Sequence, residues 1–483
     1  MLGAAMGAMG GRRAGCAAVA GLALLLAGCG NDRGQAFSMP PGTEVDAAAA
    51  ARVLVVVESQ NTCADLGACA QPDAAPCHVG EGNTRGLAVY RLGTSGRLFS
   101  ATGDRSGAQP EQVIATDDNP RRVIAHPDDP TLLYVATLDR VQVFRLGAAG
   151  ATRCIDETPS DPEIDPGADE LDPIDLAIDP AFGEHGVLYV AASGAGRVDA
   201  YEIAADGTLP ALPTSCIVGP TEAEYSAITP VTAGLFATGG RNRIEIWERV
   251  DGQFPDVQSP PTPTPTPTAD GGAPTASPTP DPSVPTETAT PTPAPTCVGA
   301  RLVSSPLSAL GAGLVTDIEF LPSATEPAGN LIVTEEVTRR LTSFPVDPNG
   351  EIDDDDDGRT DRSGLYQRIL RAERSGQTFL YATVFQEGRT DVFRLEEDGR
   401  LPDSNLAKTR SDPFSLPVGL ALDGDDGPIL WVAQEGLGRV DGFLVRDDGG
   451  IENVPSTSTP PVQRPTGGEV DTFPDDVVVV PLP

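Results

Sequence analysis

The chain has 483 residues, with 33 Lys and Arg against 70 Asp and Glu, and a formal net charge of −37. That surplus of carboxylates excludes nucleic acid as a partner class, since phosphate binding needs clustered cations, and it disfavours anionic lipid surfaces. Lys408 is the sole lysine, and His78, His126 and His185 are the only histidines. Schiff-base chemistry therefore has one candidate residue, and a multi-histidine metal site has little material.

In chain order, Arg12 and Arg13 precede a ten-residue apolar run, Ala17 to Leu26, too short to span a bilayer and right for the core of an export signal. The run ends in Leu26-Ala27-Gly28-Cys29, which resembles the bacterial lipobox. The resemblance implies cleavage before Cys29 and diacylation (palmitate) of its thiol. Residues 1–28 are then a lipoprotein signal peptide, and 29–51, rich in small and polar residues, a flexible tether. The expected address is the cell envelope, with the membrane a partner through the lipid. Gly30 after the cysteine, in place of aspartate, leans toward the outer membrane over the inner. Six cysteines follow: Cys63, Cys69, Cys77, Cys154, Cys216 and Cys297. An even number in an exported chain predicts disulfides, with the pairing open. Cys77-His78 lacks the second cysteine of a haem-attachment motif.

From residue 52 onward one unit recurs seven times. A strand ends in an aromatic residue (Tyr90, Phe144, Tyr201, Trp247, Phe344, Phe393, Phe443), and a turn glycine follows six residues later in six copies and five later in the fourth. Examples are LAVYRLGTSGRL, VQVFRLGAAGAT and TDVFRLEEDGRL. Alternation up to the aromatic indicates half-buried strands, and the glycine suits a conformation costly for other residues. A second strand precedes each unit (LLYVATL, VLYVAAS, ILWVAQE), in most copies through a hairpin turn. An apolar run (RRVIAHP, DLAIDP, SAITP, TDIEFLP, VGLALD) comes before it in at least five copies. Equivalent residues Tyr134 and Tyr189 are 55 apart, Ile332 and Tyr381 49, and Tyr381 and Trp431 50. Repeats of about 40–50 residues with four strands are propeller blades, which must stack around an axis to bury both faces. The expected fold is all-β, a seven-bladed β-propeller over 52–454. The tail 455–483 carries a strand candidate, Val477 to Val480, placed to complete the first blade and close the circle.

Here the chain resembles the lactonase-like β-propellers, the group of bacterial 6-phosphogluconolactonase and the YVTN-repeat surface propellers. The resemblance rests on Asn119-Pro120-Arg121-Arg122-Val123-Ile124-Ala125-His126-Pro127, on Leu133-Tyr134-Val135-Ala136 and on the VFRL turns. The family's form of the first motif has histidine where this chain has Arg122. Residues 259–296, almost entirely Pro, Thr, Ser, Ala, Asp and Gly, interrupt the repeats between the fourth and fifth units. Such a segment cannot pack a core, so a disordered, extended insertion is expected.

Two candidate sites remain. Asp353, Asp355, Asp357 and Asp361, with Gly358 at the bend, have the alternate-carboxylate spacing of loops that wrap calcium, although Gly364 stands where a bidentate glutamate belongs. The other reading is a solvated acidic turn. His126, after the inner strand of the second unit, with Arg121 and a carboxylate such as Asp175, could activate water against a lactone carbonyl; as the alternative, His126 is a turn histidine before proline. Asp175, Asp179 and Glu319 put acids on inner strands. No G-x-S-x-G, Walker A or H-E-x-x-H motif occurs. The expected function is a lipid-anchored, monomeric, non-catalytic binding module with a protein or carbohydrate partner. The alternative is a lactonase-type hydrolase of a small sugar lactone, working at the axial channel.

Overall fold

In a computed structural model, the described residues are 52–58, 77, 86–98 without 94, 110–158 without 118 and 148–151, 173–218, 224–249 without 233, 300–304, 313–323, 329–353 without 337–338, 358–359, 364–422 without 411 and 413, 427–459 without 454, and 474–482. The signal, the tether, the whole 250–299 segment and the acidic loop from 354 to 357 lie outside them.

Seven antiparallel four-stranded sheets make up this part of the chain. The innermost strands, from blade 1 to blade 7, are Pro474–Pro481, Arg122–Ala125, Pro173–Asp179, Ala227–Thr232, Val315–Pro322, Tyr366–Arg374 and Pro417–Leu422. Each packs on the next, and that of blade 7 packs on that of blade 1, so the array closes into a seven-bladed propeller. Blade 1 joins both ends of the chain: Pro474–Pro481 pairs with Arg52–Glu58, placing Val478 opposite Val55. The closing strand is longer than Val477 to Val480 on both sides, and Thr457–Ser458 ahead of it is the outer strand of blade 7. Among the described residues no helix is long and apolar enough to cross a membrane.

Alternation along the strands sends apolar side chains to both faces of every blade. Seven separate hydrophobic clusters result, one at each blade-to-blade interface. Trp431, Ile429, Leu54 and Tyr90 fill the seam where blade 7 meets blade 1. Each fully buried large side chain of this kind contributes roughly 1.5–3 kcal/mol.

The recurring turn glycine has a second duty beyond its backbone conformation. Gly96, Gly207, Gly350, Gly399 and Gly449 all have φ between 73° and 86°, in turns closed by the glycine amide donating three residues back. Each also lies against the preceding blade: a Cβ on Gly207 would meet Leu132, and one on Gly449 would overlap the Phe379 ring. The Tyr134 hydroxyl donates to the Gly207 carbonyl at 3.1 Å, and Tyr381 repeats the bond to Gly449 at 3.0 Å. The turn is thus a docking point between blades, which is why glycine recurs there with the aromatic strand.

Charged residues are woven into the same repeat. In the third strand of blades 3, 4, 6 and 7 an arginine pairs with the acid two residues on, as in Arg197–Asp199 at 3.1 Å, Arg243–Glu245 at 3.1 Å, Arg389–Asp391 at 2.8 Å and Arg439–Asp441 at 2.9 Å. Cys77, in the segment between the second and third strands of blade 1, is bridged to Cys154 on the outer strand of blade 2. Cys216 is disulfide-bonded as well. Cys63, Cys69 and Cys297 lie outside the described residues.

Candidate functional site

The inner strands expose one backbone edge to the axis, leaving amides without strand partners. Three aspartates meet this need from alternate blades. Asp476 of blade 1 accepts the Val123 amide of blade 2 at 3.1 Å. Asp175 of blade 3 accepts the Ile228 amide of blade 4 at 3.0 Å. Asp317 of blade 5 accepts the Ile369 amide of blade 6 at 2.8 Å. Each uses Oδ2, and each side chain is almost fully buried.

Two arginines tie these aspartates together. Arg122 of blade 2 sits 3.3 Å from Asp476 and 3.0 Å from Asp175. Arg368 of blade 6 sits 3.6 Å from Asp175 and 3.7 Å from Asp317. Blades 3 and 6 stand on opposite sides of the ring, so Arg368 spans the axis. Gly419 of blade 7 leaves room for the network, because a Cβ there would press on the Asp476 backbone and carboxylate. Several buried atoms of the cluster, Asp175 Oδ1, Asp476 Oδ1, Arg122 Nε and Arg368 Nη1, have no aligned hydrogen bond and hold their places by charge.

Glu319 lies two residues beyond Asp317 on the same strand and is half-buried. Burial, reinforced by Asp317 and opposed by Arg371 and Arg122, pushes its carboxyl up to about 7. Asp317 is pushed up to about 6, by burial first, against the pull of Arg368. Burial alone would lower the Arg122 guanidinium, but Asp476 and Asp175 outweigh it and hold the group more firmly protonated.

The sequence-selected His126, Arg121 and Asp175 go to different duties. Arg121 precedes the four-residue inner strand of blade 2 and His126 follows it, which separates them by roughly 13 Å or more at strand rise. Asp175 pairs with Arg122 and Arg368. His126 is buried, and its Nδ1 accepts the Asp128 and Asp129 amides at 3.1 and 3.2 Å. The ring proton is then on Nε2, which donates to the His185 carbonyl of the next blade at 2.9 Å. His126 also lies beside Tyr134, ring centroids 6.4 Å apart. Of the calcium candidates, Asp353 alone is described, and its amide donates to the Pro345 carbonyl; Asp355, Asp357 and Asp361 lie outside the described residues. Among the described residues no cluster of three or more His, Cys, Asp or Glu is arranged to hold a metal.

The seven sheets define the chain as a seven-bladed β-propeller with a charged cluster at its axis. The chain is similar in structure to the periplasmic gluconolactonase of Pseudomonas aeruginosa, at 13% identity and a TM-score of 0.56, over 89% of this chain and 99% of that one. It is also similar to candidate 6-phosphogluconolactonases of Bacteroides uniformis (13% identity, TM-score 0.53, 89% and 99% covered) and Bacteroides fragilis (14%, 0.52, 91% and 100%). Identities this low establish the shared fold alone. No protein-family model matches the chain, and no curated protein matches it in sequence.

Proposed function

We propose that the chain is a lipid-anchored cell-envelope propeller acting as a non-catalytic binding or interaction module. One observation carries this reading: the three axial aspartates and the arginines Arg122 and Arg368 join blades to one another, and both ring nitrogens of His126 are spent on loop backbone. A general base needs a free lone pair facing substrate, and His126 has none to offer. The ring then serves as a rigid frame presenting loops to a protein or carbohydrate, held to the membrane through Cys29. The test is a screen of lactones and sugar lactones on purified protein with and without calcium. No turnover is expected; hydrolysis lost in His126→Ala would overturn the reading.

Lactone hydrolysis is the second reading, and Glu319 favours it. A carboxyl that titrates close to neutrality on the axis of the ring has the proton affinity of a general acid or base, and a gluconolactonase shares the fold. This version predicts turnover abolished by Glu319→Gln and retained in His126→Ala.

A further inference from the structure

The axial cluster combines four carboxylates from three blades with guanidiniums from two others. Asp476, Asp175 and Asp317 each accept a backbone amide of the next blade. Arg122 and Arg368 are the buried cations. Arg371 is the third cation, and it is shared with the exposed Glu373 at the rim. Three carboxylates can be matched by three guanidiniums, but a fourth, Glu319, cannot. Arg368 is the loosest member, 3.6 and 3.7 Å from its two carboxylates and without an aligned hydrogen bond from Nη1. It is also the one that reaches across the axis.

We propose that this cluster is a proton-operated lock: with one proton held on the Asp317/Glu319 pair the ring is cross-braced through its axis, and loss of that proton leaves a surplus carboxylate that loosens the bracing. Among the described residues, the other elements packed on the Glu319 strand do not supply a compensating charge. The inner and second strands of blade 4 carry no ionisable residue. The second strand of blade 5 has only Glu335, opposite Val315 at the other end of the strand and bonded by the Thr342 hydroxyl. Further along blade 6, Arg374 turns outward to the Gly427 carbonyl. Blade 1 adds Asp475 beside Asp476, and the blade 7 inner strand has no charge. Arg122 and Asp175, across the axis, complete the set facing Glu319.

The sign follows from linkage. A carboxyl whose folded-state proton affinity is raised binds its proton more tightly in the ring than in the unfolded chain, so its stabilising effect is full at low pH and is lost as pH rises through the folded value. For Asp317 and Glu319 that window runs through about 6 and about 7.

The experiment is hydrogen exchange on the full chain at pH 5.5 and 8.5, corrected for intrinsic rates, read at the three amides the aspartates hold: Val123, Ile228 and Ile369. Wild-type protection is expected to fall by roughly tenfold or more, the equivalent of one pKa unit, while Glu319→Gln keeps its protection at both pH values. Equal protection in the wild type at the two pH values, or the same fall in Glu319→Gln, would overturn the lock. Should that variant fail to fold, carboxyl-¹³C-glutamate-labelled wild-type protein decides the matter. One carboxyl resonance titrating near neutrality supports the lock, and every resonance titrating below about pH 5.5 sinks it.

Discussion

Asp476 holds the amide of Val123, a residue 353 positions earlier in the chain. The same carboxylate meets Arg122, so one side chain near the C-terminus fastens the closing strand to blade 2. The strand itself is held by the ladder to Arg52–Glu58, and Asp476 carries that hold on to blade 2. Asp476→Ala leaves a buried amide without an acceptor and Arg122 with one carboxylate fewer. Removing one partner of a buried ion pair costs about 3 kcal/mol or more. The urea midpoint should fall accordingly, and proteolysis should begin at the C-terminal strand. Asp476→Asn, which keeps the acceptor, should recover part of the loss.

Gly449 tests the double duty of the turn. Its φ of 78° disfavours any side chain, and a Cβ there would collide with the Phe379 ring of blade 6. Gly449→Ala combines left-handed strain with overpacking, together about 2–4 kcal/mol. Gly376 has a similar φ of 73° but open space around it, so Gly376→Ala should cost only the backbone term, about 1 kcal/mol. Urea unfolding of the two variants side by side separates packing from conformation, and equal losses would mean that the blade contact is inert.

The fold was readable because propeller stacking repeats. A strand-aromatic-turn-glycine unit that must bury both faces leaves the same mark seven times, and Tyr134, Tyr381 and Trp431 occupy equivalent places in the structure. The axial cluster was less readable. The inner strand of blade 6, Tyr366–Arg374, reads YQRILRAER, so its charges mask the apolar run that marks the inner strands of other blades, and nothing in the pattern singles out Arg368 or Arg371. Arg121 and Arg122 are adjacent, and composition alone does not tell which of them meets Asp175 and Asp476. The paired Arg-x-Asp of the third strands did leave a signal, in GRVD, GRTD and GRVD again before each aromatic. Asp175 and Glu319 were placed correctly on inner strands, but their partners come from blades up to some two hundred residues away, and no local pattern encodes those distances.

The Cys77–Cys154 bridge joins blade 1 to blade 2 across 77 residues of sequence. It therefore staples the blade made from both chain ends to its neighbour. In the chain-entropy account a loop of that length stabilises by about 4 kcal/mol. Cys77→Ser with Cys154→Ser should lower the melting temperature by several degrees, and the same treatment with reductant should then have less effect on the double variant than on the wild type. An unchanged melting temperature would show that burial of Cys154 in the seam suffices without the bond.

Cys29 is the predicted attachment point for lipid, read from Leu26-Ala27-Gly28-Cys29. Two or more acyl chains give stable anchoring where one does not. Expressed in a bacterial host with labelled palmitate, the wild type should incorporate label and partition into detergent, and Cys29→Ser should do neither. Label retained in the variant would remove the anchor from the proposed function.

His126 offers the sharpest separation of a structural from a catalytic role. Its Nδ1 accepts two consecutive amides, from Asp128 and Asp129, and Nε2 reaches the carbonyl of His185 in the next blade. His126→Ala frees three backbone groups at once, at about 1–3 kcal/mol. In His126→Asn a side-chain oxygen can take over the two amides in the manner of an Asx turn, while the reach to His185 is lost. The expected order of urea midpoints is wild type, then Asn, then Ala. A catalytic imidazole would predict the reverse emphasis, with both variants equally inactive on any hydrolysed lactone and neither much less stable than the wild type.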